Sequence, residues 1–213
     1  MTPTRIAFIA GAALLVFWVL GAYNRLVRLR SAVLGAWPPL EAQLRRRQVL
    51  ACELTELLGR LDPMDNLSDE IGRATLQTVA AAARQAQAAV DHAQVRVGSA
   101  GAIQSLGLAE QVLEGALRPL RVLIAARPAV AGEPELGEQV RALLLGLQDA
   151  DAQLAFVRRV FNEAVQAFNG AAHELPTRLI ASVFGFRAAA PLASVSPDRG
   201  PDSQIASAFG EHA

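Results

Sequence analysis

The sequence contains no lysine; all 20 of its basic residues are arginine. That excludes a P-loop lysine, a pyridoxal Schiff base, a kinase-type ATP lysine and any lysine nucleophile. Cysteine is nearly absent too. Cys52 stands alone, so the chain has no intrachain disulfide and no cysteine-built zinc site. The three histidines, His92, His173 and His212, lie far apart and form no HExxH or comparable ligand pair. Aromatic residues make up only 5%, which argues against a β-sandwich and for Ala, Leu and Val packing between helices. Twenty acidic residues bring the net charge to +0, so no global field favours nucleic acid, and no nucleic-acid partner is expected. Nothing in this inventory calls for a cofactor or a metal.

What is present is apolar and helical. The 213 residues are 52% hydrophobic, enough for one compact domain and a segment or two outside it. Residues 6–22 read IAFIAGAALLVFWVLGA, without a charge. As a helix this run spans about 25 Å, close to a bilayer core, and Trp18 and Tyr23 fall near its C-terminal end, where aromatic rings favour the headgroup region. Arg5 precedes the run; Arg25, Arg28 and Arg30 follow it. This excess predicts a single-pass anchor over 1–22 in the cytoplasmic membrane, with the N-terminus out and the rest in the cytoplasm. A cleaved signal peptide is the competing reading, but the region before the run is weakly basic and the three arginines oppose translocation. The lipid bilayer is thus the first expected partner. Ala7 and Gly11 form a small-xxx-small pair that could join two such helices, which keeps a homo-oligomer open.

Four helical stretches follow. The first runs over 23–61, continuous with the anchor, with a stripe of Leu26, Leu29, Val33, Ala36, Leu40, Leu44, Ala51, Leu54 and Leu58. Arg47 is its one polar breach, and its side chain is expected to turn inward. Pro38-Pro39 should kink or briefly break this helix, because an internal proline costs about 3 kcal/mol or more. The second begins near Ser68 and carries Leu76, Val79, Ala83, Ala86, Val90, Ala93 and Val97. A connector over 98–101 leads to the third, 103–126, with Leu106, Ala109, Leu113, Leu117 and Leu120 inward and Pro119 bending it. The fourth, 136–175, alternates steps of four and three from Leu136 through Leu154 and Phe161 to Leu175 with no charge on the stripe. So long a 3.5-residue repeat predicts a long helix in a left-handed bundle. From Ala188 the composition turns to Ala, Ser, Pro, Asp and Gly, and a disordered tail is expected over 188–213.

Two sequence blocks resemble the bacterial LemA family. The first is YNRLVRLR at 23–30, AW at 36–37 and QLRRR at 43–47; the second is RRVFNEAVQAFN at 158–169, Pro176 and LIASVFGF at 179–186. The family reads roughly YNxLVxLR…AW…QLKRR near its anchor and ARxxYNxAVxxYN…FPxxLxAxxFGF near its end. Phe161 and Phe168 replace its tyrosines, and QVLACE at 48–53 replaces its Asp-Leu-Ile-Pro-Asn-Leu stretch. The resemblance implies an all-α protein: an N-terminal transmembrane helix followed by an antiparallel four-helix bundle over 23–187. It implies no activity. Some relatives act in magnetosome formation and others are encoded beside membrane proteases, which hints at membrane assembly or quality control.

Few residues are candidates for a site. Arg45 and Arg46, in the densest charge run, are candidates for partner binding, against a solvated face paired with Glu41. Asn162 and Asn169, seven apart on one helix face, are candidates for a structural polar core with Asn24 as counterpart, fixing register as a buried asparagine does in coiled coils. His173 and Glu174 are sequence neighbours and do not face each other, so they form a poor acid–base couple. The expectation is a non-catalytic scaffold or interaction module with unidentified membrane-associated protein partners. A ligand-binding or enzymatic bundle with an unrecognised pocket is the alternative.

Overall fold

The computed structural model describes residues 3–60, 70–125, 134–174 and 188–193. Four helices account for nearly all of them: α1 (Pro3–Gly59), α2 (Glu70–Val95), α3 (Ala100–Ala125) and α4 (Pro134–His173). No strand occurs among the described residues. The expected start of the second helix near Ser68, Pro176 with the LIASVFGF block at 179–186, and residues 194–213 of the expected tail lie outside them.

Helix α1 is the spine. It packs along α4 on one side and α2 on the other, and α2 packs along α3. The α1–α4 pair is antiparallel: Arg25 meets Glu174 at 3.2 Å, Arg46 meets Asp149 at 2.9 Å, and Leu50 faces Gly146. The α1–α2 pair is antiparallel as well: Arg45 reaches Asp91 at 2.7 Å, and farther along α1 Cys52 lies near Arg84. Between α2 and α3 the chain reverses in four residues. Ser99 N–H donates to the Arg96 carbonyl at 2.9 Å, and Gly98 adopts φ 95°, a left-handed conformation that favours glycine.

Helix α1 stays helical through Pro38-Pro39, where a kink or a short break was expected, so the pair does not interrupt the helix. The residues flanking the pair explain this. Trp37 and Leu40 are buried in the core, and Trp37 Nε1 donates to Glu41 Oε2 at 2.9 Å. Each large buried apolar side chain contributes about 1.5–3 kcal/mol, enough to offset the proline penalty.

The core divides into two apolar clusters. The one nearer the N-terminal end of α1 holds Leu26, Val33, Trp37, Leu44, Leu106, Phe161 and Phe168. The farther one holds Leu54, Leu58, Val79, Leu113, Leu117 and Leu147. The inward stripes read from the sequence supply most of both, and Trp37, Ile103 and Val165 join the first from outside those stripes. Phe161 is fully buried and meets Trp37 edge-to-face, with ring centroids 6.1 Å apart at 65°. Phe161→Ala should therefore lower bundle stability by about 3–5 kcal/mol in chemical melts of the full-length protein; a near-neutral result would mean this cluster is not packed as described.

Candidate functional site

Between the two apolar clusters lies a layer of charge. Arg47 comes one heptad step after Leu44 and one before Ala51, so the helix period aims it inward, and it is 3% exposed. Its guanidinium spends every face. Nη1 donates to Glu110 Oε2 at 2.8 Å, Nε donates to Asp151 Oδ1 at 2.7 Å, and Nη2 donates to Glu114 Oε2. Arg121 closes the ring from α3 onto Asp151 at 2.8 Å and Glu114 at 3.5 Å. Gln48 Nε2 donates to Glu110 Oε1 at 3.3 Å. Arg158 stands nearby within electrostatic range of Glu110 and Asp151. Three guanidinium groups thus face three carboxylates, and the layer is neutral.

Burial disfavours the charge on Arg47, but Asp151, Glu110 and Glu114 outweigh it and hold its pKa above the ordinary value. Arg158 goes the other way. Burial lowers its pKa and the Arg47 charge adds to the effect, while its Nε and the Gln48 Oε1 make no hydrogen bond. The inward turn of Arg47 was legible from its register. Glu110, 1% exposed, was not anticipated; it sits between Leu106 and Leu113 on the inward face of α3, the position a heptad count would have flagged.

The second constellation involves the asparagines. Asn24 is exposed on α1 and does not meet Asn162 or Asn169, so the expected inter-helix asparagine contact is not formed. Both α4 asparagines instead bind a segment that was expected to be disordered tail. Asn169 Nδ2 donates to the Ala189 carbonyl at 2.7 Å and accepts the Ala189 N–H on Oδ1 at 3.0 Å. Asn162 does the same with Leu192, at 2.9 and 2.8 Å. The spacing has a simple origin. Seven helical residues rise about 10.5 Å, and three residues of extended chain span about 10 Å, so both ties can form at once. The backbones of 189 and 192 both turn toward α4. Pro191 stands between the two ties and gives up no bond. We call 188–193 the strap. Its Leu192 is buried, and Leu192 Cδ1 would lie 3.7 Å from a Cβ placed on Gly107 of α3. The strap therefore fills the seam between α3 and α4. Its first residues also wall a cavity of about 480 Å³ bordered by Arg30, Leu34, Ser99 and Phe168.

Arg45 and Arg46 lie on the surface, partly exposed. Arg45 pairs with Glu41 at 2.9 Å and Asp91, and Arg46 pairs with Asp149, so both bridge α1 to a neighbouring helix. Arg45 thus has the expected Glu41 partner and a second one on α2.

The LemA family profile matches residues 36–201, most of the chain. The chain belongs to the LemA family. The matched LemA region contains Arg47, Glu110, Asp151, both α4 asparagines and the whole strap. No curated protein matches the chain.

Two outcomes follow from this geometry. Arg47→Met leaves Glu110 buried without its cation and should cost about 3–5 kcal/mol, while Arg47→Met with Glu110→Leu should regain much of that loss. Arg46→Ala removes a solvent-exposed pair and should cost only about 0–1 kcal/mol. Chemical melts of the four proteins check both, and equal losses at Arg46 and Arg47 would deny the layer its role. Burial pushes the Cys52 thiol up, with Glu56 adding and Arg84 opposing. Iodoacetamide at pH 7 should accordingly modify Cys52 severalfold more slowly in the folded protein than in urea.

Proposed function

We propose that this LemA-family chain is a single-pass scaffold of the bacterial cytoplasmic membrane, presenting its bundle to membrane-associated proteins on the cytoplasmic side without catalysis. The observation that carries this reading is α1. One unbroken helix displays an apolar stretch, with Phe8 80%, Phe17 73% and Trp18 51% exposed, and then buries Leu26 and every later core position in the bundle. Exposed apolar surface of that extent on a soluble chain would be a strong liability, and a bilayer removes it. Arg25, Arg28 and Arg30 directly after the stretch favour the cytoplasmic side for the bundle. The buried charges also favour an interaction role over chemistry. Arg47, Glu110, Glu114 and Asp151 are consumed by one another, and bundle enzymes need inward carboxylates or histidines free to act.

Two measurements test the reading. A reporter active only in the cytoplasm, fused after Ala213, should be active, and activity of a periplasm-only reporter there would reverse the orientation. Crosslinking in native membranes followed by recovery of the tagged protein should return specific membrane-associated proteins. Recovery of nothing beyond the chain itself would leave a passive anchor in place of a scaffold.

A further inference from the structure

We propose that the seam between α3 and α4 is a binding groove for an extended, proline-containing segment of a neighbouring membrane protein, and that the strap is its built-in occupant. Recognition at the two asparagines is through backbone alone. Each carboxamide takes one N–H and one carbonyl from a single residue, a pairing any segment can satisfy if it offers both groups three residues apart. Side-chain demands are few. Ala189 and Ala190 are buried and small, Leu192 is buried and lies beside Gly107 of α3, and Ala188, Pro191 and Ala193 are exposed. The groove thus selects small–small–Pro–aliphatic in an extended segment, whose backbone a proline restricts before binding.

The strap is placed to yield. The hydrogen bonds described for it all run through the two asparagine side chains, with none to helix backbone. Residues 175–187 join it to α4, and thirteen residues can reach over about 40 Å, so a displaced strap stays tethered and competes for return. The height of the groove selects the occupant. Glu174 pairs with Arg25, three residues past the apolar run, and Asn169 lies five residues back along α4. The first tie is therefore about 12 Å from the end of that run, the level at which a juxtamembrane segment leaves the bilayer.

The inference rests on the membrane-scaffold reading for its use in the cell, but the groove is tested separately. The probe is a fluorescein-labelled peptide RAAAPLAS, the sequence of residues 187–194, added to full-length protein in phosphatidylethanolamine–phosphatidylglycerol nanodiscs and followed by anisotropy. Leu192→Asp, which ejects the strap, should bind the peptide at least tenfold more tightly than wild type. Adding Asn162→Ala and Asn169→Ala should abolish binding. N-methylation of the peptide at the positions of Ala189 and Leu192 should weaken it at least tenfold, a loss that simple apolar contact would not give. Should Leu192→Asp lose helical circular dichroism, a protease site placed after Arg178 and cut in the folded protein frees the strap instead, with the same gain expected. Absence of peptide binding to either freed form overturns the proposal, and so does binding indifferent to N-methylation or to the asparagine changes. Mutual retention of tagged copies without peptide binding also overturns it, in favour of straps exchanged between copies. Failed crosslinking with intact peptide binding faults the scaffold reading and leaves the groove standing.

Discussion

The bundle is organised around one buried cation. Removing a guanidinium from water costs several kcal/mol unless carboxylates replace the lost hydration, and Arg47 obtains three from two other helices. That requirement dictates alignment. Glu110 and Glu114 must rise on α3, and Asp151 on α4, to the level that α1 sets. A slip of any helix by one turn, about 5.4 Å, would separate these groups and leave charge stranded. Apolar stripes alone tolerate such slips, because one leucine layer resembles the next. The charged layer makes the alignment single-valued, as a lone polar position does in a coiled coil.

Much of this could be read from the sequence. The heptad stripes named most of the core of each helix, since period and burial are linked on a long amphipathic helix, but missed Trp37, Ile103 and Val165. Arg47 stood out because it interrupted a stripe. Glu110 escaped because the α3 stripe was assembled from apolar residues only, and its inward carboxylate was passed over between Leu106 and Leu113. The proline pair shows the limit of local propensity. It called for a kink or a short break, and the helix runs on without a break, with Trp37 and Leu40 buried on either side.

The strap was illegible for a different reason. Its composition, AAAPLA, matches that of a flexible tail, and the features that hold it belong to the backbone rather than to its side chains. Only the partner left a trace, in two asparagines one heptad apart on α4. That trace pointed to the right residues and the wrong contact, because a polar heptad position reads equally well as facing another helix. Binding through main-chain amides leaves almost no mark on the sequence bound.

Helix α1 has no joint where the apolar stretch meets the bundle, so on the proposed membrane reading any tilt of that stretch would be inherited by everything beyond it. Gly59 lies about 55 Å past Ala22 along the axis. A transmembrane tilt of about 20° would swing that far end sideways by about 19 Å and bring one flank of the bundle down toward the lipid. On that reading, a change of bilayer thickness that altered the tilt would move the far end of the bundle toward or away from the lipid.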